Sequence, residues 1–418
     1  MAETSGVLII RIHKNIIPYK TMTKRSLTDI EVKDKKVFMR VDFNVPLKDG
    51  VITDDNRITQ ALPSIKYVIE QGGLLILASH LGRPGGEKNL EFSLKAVAEH
   101  LATLVDAKVH FSPDCIGEEA ENTIKNADFG DIVVLENVRF YKEETNNDDG
   151  FSQKLASLAD VFVNDAFGSS HRAHASVSGI TKHLQPAVSG FLLDKEIRYL
   201  NDSVNNPERP FVAILGGAKV SDKIGVIENL INKVDTIIIG GGMTYTFYKA
   251  KGLSIGNSLL EEDKVGLAGE LIEKAEKAGV KLMLPFDSVV SKEFSNDSEH
   301  KIVDEDGIED GWMGLDIGPQ SAIAFGNTIK NAKTVLWNGP MGVFEMSNFA
   351  DGTFSVAEAL AEATAFGATT IIGGGDSAAA IKAADLSDKV SHVSTGGGAS
   401  LEFLEGKELP GVSSLTDK

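Results

Sequence analysis

The residues of this chain best suited to chemistry fall into two groups, each placed directly after short apolar runs. The first group is cationic and polar. It comprises Asp42 and Asn44 in RVDFN, His80 and Arg83 in SHLGRP, Arg139 in ENVRF, and His171, Arg172 and His174 in NDAFGSSHRAH. Arg57 follows soon after the first of these, in DDNRIT. Arg binds phosphate and carboxylate through paired hydrogen bonds, so several Arg and His on one edge make a site for a small polyanion. Any one of these cations alone is more simply a surface ion-pair partner. Collected after four separate apolar runs, they are much harder to explain that way.

The second group is glycine. Apolar runs in the second half end in Gly216-Gly217-Ala218-Lys219, Gly240-Gly241-Gly242, Gly373-Gly374-Gly375-Asp376 and Gly396-Gly397-Gly398. Without a Cβ, backbone N–H groups approach phosphate closely, and a following helix start adds a favourable dipole. One such triplet is as readily a tight turn; four form a much stronger signal. Lys219 and Lys223, four apart, are expected on one face at the start of a helix. Asp376 stands where a carboxylate would hold Mg²⁺ at bound phosphates, with a helix N-cap as its other reading. Asn338 and Glu345 flank a Gly/Pro turn suited to the rim of a nucleotide site. Neither G-x-x-x-x-G-K-[ST] nor G-x-G-x-x-G is present. The histidines lack metal-ligand spacing, Cys115 is a bystander, and Trp337 is expected in the core.

These residues need a scaffold that brings run ends together. Strand-like runs KVFMRVDFN, GLLILASHLG, AKVHFSP, DIVVLENVRF and DVFVNDAFG fill the first half. PFVAILGG, DTIIIGGG, KLMLP, TVLWNGP, TTIIGGGD and SHVSTGGG fill the second. Amphipathic stretches such as LPSIKYVIEQG and EDKVGLAGELIEKAEKAG lie between them. Strands apolar on both faces and alternating with helices predict parallel sheets covered on both sides. In such α/β sheets ligands bind beyond the carboxyl ends of the strands. The expected architecture is two doubly wound, Rossmann-like parallel-sheet domains joined by a connecting helix. That helix falls in FLLDKEIRYLNDSVN and is ended by the Asn and Pro residues that follow.

With 418 residues the chain is too long for one core, which agrees with two domains. It carries 42 Lys+Arg against 60 Asp+Glu, a formal charge of −18. That balance argues against nucleic acid or an anionic membrane surface as partner, while local cations still suit a small anion. A single cysteine cannot form an intramolecular disulfide, which suits a reducing compartment. Residues 1–21 read as an extension of unclear role, with a weak organellar presequence as the alternative to an ordinary cytoplasmic protein.

The blocks RVDFNVP, SHLGRP, LENVRF, NDAFGSSHRAHAS, GGAKVSDKI, GGGM, LWNGPMGVFE, GGGDS and STGGGAS, in that order, resemble the phosphoglycerate kinase family from about Lys24 onward. The resemblance implies reversible phosphoryl transfer, 1,3-bisphosphoglycerate + MgADP ⇌ 3-phosphoglycerate + MgATP, by a cytoplasmic, hinge-bending monomer. It implies that Asp42, Asn44, Arg57, His80, Arg83, Arg139 and Arg172 surround the glycerate acid. Arg57 and Lys219 would act on the transferring group, helped by backbone N–H groups at Gly374 and Gly397. Lys223, Asn338, Gly375 and Ser377 would contact nucleotide phosphates, Asp376 the metal and Glu345 the ribose. Adenine would lie near Gly217, Ala218, Gly241, Leu315 and Val343. Ser377 stands where many members carry Thr, keeping the hydroxyl.

The implied division is a 3-phosphoglycerate domain at 22–190, a hinge at 191–208, a nucleotide domain at 209–400, and a tail at 401–418 that returns to the first domain. Two rivals stand beside this reading. A nicotinamide-dependent oxidoreductase is disfavoured by the missing dinucleotide fingerprint. A non-catalytic anion clamp is disfavoured by the Lys219 and Asp376 pair.

Overall fold

The computed structural model describes residues 24–418. The expected extension at 1–21 lies outside these residues. Two six-stranded parallel sheets organise the chain. In the first, the strands run in the spatial order Val109–Phe111, Ile132–Val134, Leu74–Ala78, Lys36–Val41, Val161–Asp165 and Ala187–Ser189. In the second, the order is Lys281–Met283, Thr236–Ile239, Phe211–Leu215, Thr334–Asn338, Thr369–Ile372 and His392–Val393.

Successive side chains of a strand point to opposite faces, and here both faces are covered. Phe38, Ile76, Val133 and Phe162 of the first sheet enter one apolar cluster, while Val37, Met39, Leu75, Leu77 and Val163 enter another on the reverse face. The second sheet divides likewise, with Val212, Ile214, Val335, Trp337 and Ile372 on one face and Phe211, Ala213, Leu215 and Leu336 on the other. Each such fully buried side chain contributes about 1.5–3 kcal/mol relative to exposure. Trp337 is fully buried, and its indole N–H donates to Gly339 O at 2.8 Å.

The connecting helix is Phe191–Asn205, and the chain leaves it through Asn206 and Pro207. Its buried stripe, Leu192, Leu193, Glu196, Ile197, Leu200, Ser203 and Val204, follows the helical period. Through Leu193, Ile197, Leu200 and Val204 the apolar cluster behind the first sheet continues into the second. Glu196 is the one charged residue in that stripe.

Residues 411–417 return to the first sheet. Asn164 Nδ2 donates to Gly411 O at 2.8 Å, Thr416 N to Ala187 O at 2.9 Å, and Lys24 pairs with Asp417 at 2.8 Å. The helix Gly397–Leu404 runs through residue 400 and packs on helix Ile224–Leu230 of the second domain.

Besides a small antiparallel ladder of Leu47–Lys48 and Val51–Ile52, two features are additional to the predicted scaffold. One is the sixth strand of the first sheet, Ala187–Ser189, only three residues long. The other is an antiparallel three-stranded sheet of His300–Asp304, Asp287–Ser291 and Met313–Ile317 on the second domain. His300–Asp304 alternates exposed and half-buried, so it lacks the continuous apolar run that marks the parallel strands.

Candidate active site

Four adjacent strands of the first sheet deliver the cationic group. Asp42 and Asn44 follow Lys36–Val41, His80 and Arg83 follow Leu74–Ala78, Arg139 follows Ile132–Val134, and His171, Arg172 and His174 follow Val161–Asp165. Arg57 comes from the first turn of helix Asn56–Glu70. All of these residues line one cleft of about 1130 Å³, whose far wall is Gly375, Gly397 and Gly398 of the second domain.

Hydrogen bonds hold this lip in shape. Arg57 Nη1 donates to Asp42 Oδ1 at 3.0 Å. Asn44 Oδ1 accepts from Gly82 N at 2.8 Å, and Arg139 Nη1 donates to Gly82 O at 3.0 Å. Arg83 and Arg172 are exposed. Buried Arg139 Nε, His171 Nδ1 and His174 Nδ1 have no hydrogen-bond partner among the described residues. Such orphaned buried nitrogens are rare in folded proteins, and these three belong to side chains that line the cleft.

The histidines contribute polarity without charge. Burial, reinforced by Arg40, Arg139 and Arg57, holds His80 well below the usual imidazole range. Burial and then Arg139, Arg40 and Arg172 push His174 down to about 3, and burial lowers His171 in the same sense. Burial also pulls Arg139 to about 10, which leaves it charged at neutral pH. The positive charge at this lip therefore belongs to arginine.

The second domain supplies the facing lip from five neighbouring strand ends. A recess of about 210 Å³ is lined by Lys223, Asn338, Gly374, Gly375, Asp376, Ser377 and Gly397. Lys223 Nζ donates to Asn338 Oδ1, and Asn338 Nδ2 is buried without a partner among the described residues. Burial lowers the Lys223 pKa, against the opposing pull of Asp222, Asp376 and Glu405. Gly339 N donates to Ser377 Oγ at 2.6 Å, so the Ser377 hydroxyl keeps its proton free to donate. Gly374 has φ +92, and a Cβ there would stand 3.1 Å from Asn338 Nδ2. Only glycine fits that backbone without strain.

Beyond this recess, backbone bonds join the remaining expected residues into one wall. Gly217 N donates to Pro340 O at 3.2 Å, Gly241 N to Met341 O at 2.9 Å, and Val343 N to Leu315 O at 2.9 Å. A Cβ on Gly241, at φ +70, would lie 2.6 Å from Gly217 O. Ala218, Lys219 and Glu345 are exposed nearby in sequence.

One expectation requires correction. Lys219 and Lys223 do not share a helix face, because the helix begins only at Ile224. The preceding turn is pinned elsewhere: Ser221 Oγ donates to Glu261 Oε1 at 2.6 Å. Lys223 is consequently half-buried against Asn338 while Lys219 is left exposed.

The lips come within contact of each other. A Cβ on Gly396 would meet Phe167 Cδ1 at 2.5 Å and Gly168 Cα at 3.1 Å, and one on Gly398 would meet His171 Nε2 at 3.2 Å. Lys382, on the helix that carries Asp376, pairs with Asp54 across the cleft mouth. Helices Gly375–Ala383 and Gly397–Leu404 both start here, and a Cβ on Gly397 would stand 3.3 Å from Gly375 N. Two positive helix ends thus converge beside the arginine lip.

Among the described residues no cluster of three or more His, Cys, Asp or Glu could hold a metal ion. A divalent cation beside the exposed Asp376 would have to take its other ligands from water and phosphate oxygens, which is how Mg²⁺ usually binds with a nucleotide.

The buried partners of groups around the cleft carry no signal in the sequence. Behind the arginine lip, fully buried Arg40 donates through Nε to Ser176 Oγ at 2.8 Å, and Ser176 Oγ donates to Glu144 Oε1 at 2.6 Å. In the facing lip Thr395 is tied through N and Oγ1 to Glu196 Oε1 at 2.7 and 2.8 Å. Glu144, Ser176 and Glu196 follow no telling spacing; only tertiary contact brings them into play.

Comparison with known proteins agrees with this geometry. The family model described as phosphoglycerate kinase matches residues 27–407. A phosphoglycerate kinase of Clostridium tetani is 56% identical over 402 residues, spanning 96% of this chain and all of that protein. One of Chloroherpeton thalassium is 58% identical over 396 residues, 95% of this chain and all of that protein. The structure of phosphoglycerate kinase from Coxiella burnetii superposes with TM-score 0.85 at 40% identity, covering 94% of this chain and 98% of its own. That from Pyrococcus horikoshii does so with TM-score 0.79 at 32% identity, with the same coverage of each chain. Facing arginine and glycine lips, a profile match over nearly the whole chain and relatives matched end to end lead to one conclusion: the chain belongs to the phosphoglycerate kinase family.

Proposed function

We propose that this chain transfers a phosphoryl group reversibly between the acyl phosphate of 1,3-bisphosphoglycerate and MgADP, giving 3-phosphoglycerate and MgATP. The observation that carries the reading is the single cleft walled on one side by Arg57, Arg83, Arg139 and Arg172 and on the other by two helix starts at Gly375 and Gly397.

In this reading Asp42, Asn44, His80, Arg83, Arg139 and Arg172 hold the glycerate acid and its phosphate. Asn44 and Arg139 are already braced on Gly82, so they present their remaining polar atoms with little reorganisation. On the other side Lys223, Asn338 and Ser377 address nucleotide phosphates, Asp376 the Mg²⁺ that arrives with the nucleotide, and Glu345 the ribose. The backbone wall of Gly217, Ala218, Gly241, Leu315 and Val343 receives adenine.

Phosphoryl transfer asks mainly for alignment and for compensation of charge on the equatorial oxygens. Arg57 leaves Asp42 to meet those oxygens, with Lys219 approaching from the nucleotide side. N–H groups at Gly374 and Gly397 add fixed dipoles that need no reorganisation. The acyl phosphate is an activated donor and the carboxylate a good leaving group, so no nucleophilic side chain and no strong base is needed. Closure of the lips excludes water, the competing acceptor.

We divide the chain accordingly into a 3-phosphoglycerate domain at 22–190, a hinge at 191–208, a nucleotide domain at 209–400 and a returning segment at 401–418. We assign it to the cytoplasm as a monomer, on the family's habit and the lone buried Cys115. The direct test is ATP consumption with 3-phosphoglycerate and Mg²⁺, the product being reduced by a glyceraldehyde-3-phosphate dehydrogenase with loss of NADH. Turnover must require all three components; ligand binding without turnover would return the clamp reading.

A further inference from the structure

Behind the cationic lip lies a buried chain of polar groups that the proposed reaction does not itself use. Glu144 is fully buried and sits on the short helix Lys142–Thr145. Its two carboxylate oxygens accept from Ser176, Oε2 from the backbone N at 2.8 Å and Oε1 from the hydroxyl at 2.6 Å. With its proton committed to Glu144, Ser176 Oγ can only accept from its other neighbour, and that neighbour is Arg40 Nε at 2.8 Å. Arg40 Nη1 donates to Val41 O, and Nη2 lies 3.1 Å from His80 Nδ1.

The direction of the last contact follows from chemistry alone. A guanidinium has five N–H donors and no acceptor, and it stays protonated. His80 Nδ1 must therefore accept. In a neutral imidazole the proton is then on Nε2. The His80 side chain is 7% exposed and lines the cleft, and Nε2 has no hydrogen-bond partner among the described residues.

We infer that Glu144, Ser176 and Arg40 form a positioning relay that holds His80 in its Nε2–H tautomer, aimed as a fixed donor at the anionic substrate. The inference rests on the proposed function for the identity of that substrate. Its central claim, the tautomer, does not depend on it. Glu144 supplies the counter-charge that keeps Arg40 in place, and Ser176 converts a carboxylate into an acceptor at the right distance from Nε. The groups facing His80 from the surrounding elements are Arg40, Arg57, Arg139, His174 and Asp42. Only Asp42 among them is an acid, and its Oδ1 is 4.0 Å from Nδ1, beyond hydrogen-bond reach.

The relay is the useful arrangement for an anion site. A histidine free to choose its tautomer would present an acceptor lone pair to the cleft part of the time and repel a carboxylate or phosphate oxygen. Pinned from behind, it presents only a donor. Preorganised donors of this kind cost nothing to reorient when the ligand arrives.

The test uses the full-length enzyme with ¹⁵N-labelled histidine, without substrate, at neutral pH. Nitrogen–proton correlation through the imidazole ring reports which nitrogen carries the proton. The expected result for the unaltered protein is one Nε2–H tautomer at His80. An Nδ1–H form, a mixture of tautomers or an imidazolium would overturn the inference, and this measurement needs no variant to fold. Ser176→Ala should then release the tautomer into a mixture and weaken 3-phosphoglycerate binding about tenfold by calorimetry, the scale of one lost hydrogen bond to a charged group. Nucleotide binding should stay unchanged, and Ser176→Thr, which keeps the hydroxyl, should restore both readouts. Unchanged tautomer and unchanged affinity in Ser176→Ala would remove the relay. An enzyme with the expected tautomer that fails to turn over 3-phosphoglycerate would instead count against the proposed function.

Discussion

Glu196, midway along the connecting helix, accepts a hydrogen bond from His392 Nε2 at 2.8 Å, and both side chains are essentially buried. The other carboxylate oxygen holds Thr395, so one residue of the connecting helix grips the strand end and the loop that lead to Gly396–Gly398. Tyr199, one turn further along, stacks on the His392 ring with centroids 4.8 Å apart. The carboxylate thereby couples the connecting helix to the glycine lip.

Replacing Glu196 by Ala should leave His392 and Thr395 without their acceptor and destabilise the fold by about 3 kcal/mol. Glu196→Gln keeps the shape and one acceptor, and should cost less stability while still lowering kcat. Urea unfolding beside steady-state kinetics separates the two effects. Normal kcat in the Gln variant would mean that the grip is structural only.

Arg57 is tied to Asp42 at 3.0 Å, and in the proposed reaction it must change partner to reach the transferring phosphoryl group. Arg57→Ala should lower kcat by at least ~100-fold, the scale of losing one preorganised donor in a transition state. A variant with near-normal kcat and only a raised KM would reassign Arg57 to ground-state binding.

Asp376→Asn should weaken binding of the Mg-nucleotide and its dependence on Mg²⁺, with 3-phosphoglycerate affinity intact. Calorimetry with each ligand separately provides the check. Equal losses on both lips would place the effect in the fold of the helix start, where Asp376 also sits.

Gly396 touches Phe167 and Gly168 of the other domain, so a methyl group there is a wedge between the lips. Gly396→Ala should preserve binding of each substrate alone and lower kcat at least tenfold. Full activity would show that the lips need not approach this closely during turnover.

His80 and His174 are held uncharged by burial and by neighbouring arginines. Their folded pKa values lie below the unfolded value of about 6.5. The folded state thus binds fewer protons, and stability is complete above about pH 6.5. As pH falls below that, it is lost at about 1.4 kcal/mol per pH unit for each histidine, a decline that for His174 continues to about 3. Burial raises Asp316 to about 8 and Asp165 to about 6, which acts in the opposite sense, so the readout is a difference. Between pH 6.5 and 5 the slope of unfolding free energy against pH should be smaller in His174→Asn than in the unaltered protein by about 1.4 kcal/mol per pH unit. Identical slopes in the two proteins over this range would contradict the assignment.

Much of this site is legible in the order of residues alone, for a specific reason. Arg and His after apolar runs, and glycine after others, are conspicuous because few purely structural positions require them. Since parallel sheets align their strand ends, naming those residues nearly draws the cleft. What stays hidden depends on burial. Glu144 in KEET and Ser176 in HAS look like ordinary surface residues until folding encloses them. Glu196 sits in a helix whose period is clear, but a single charge in an apolar stripe does not announce its partner 196 residues away. Lys219 and Lys223 defeat the four-residue spacing rule because the Ser221 bond to Glu261 delays the helix by a turn, a long-range effect on a local feature. The antiparallel sheet escapes notice because a strand half-open to solvent does not carry a continuous apolar signature.

The return of residues 411–417 to the first sheet has a consequence for synthesis. Asn164 has a local acceptor in Ser170 Oγ but waits for its second, Gly411 O, made 247 residues later, and the edge strand Ala187–Ser189 waits for Thr416. On a ribosome adding about 5–20 residues per second, that interval is on the order of tens of seconds. During it the first domain lacks the backbone bond from Thr416 at its sheet edge, and the Asn164 amide has only Ser170 Oγ as acceptor, while the second domain is being assembled after it. The domain that begins first is therefore finished last, and a nascent chain is most open to wrong strand pairing in the half that looks, by order of translation, already complete.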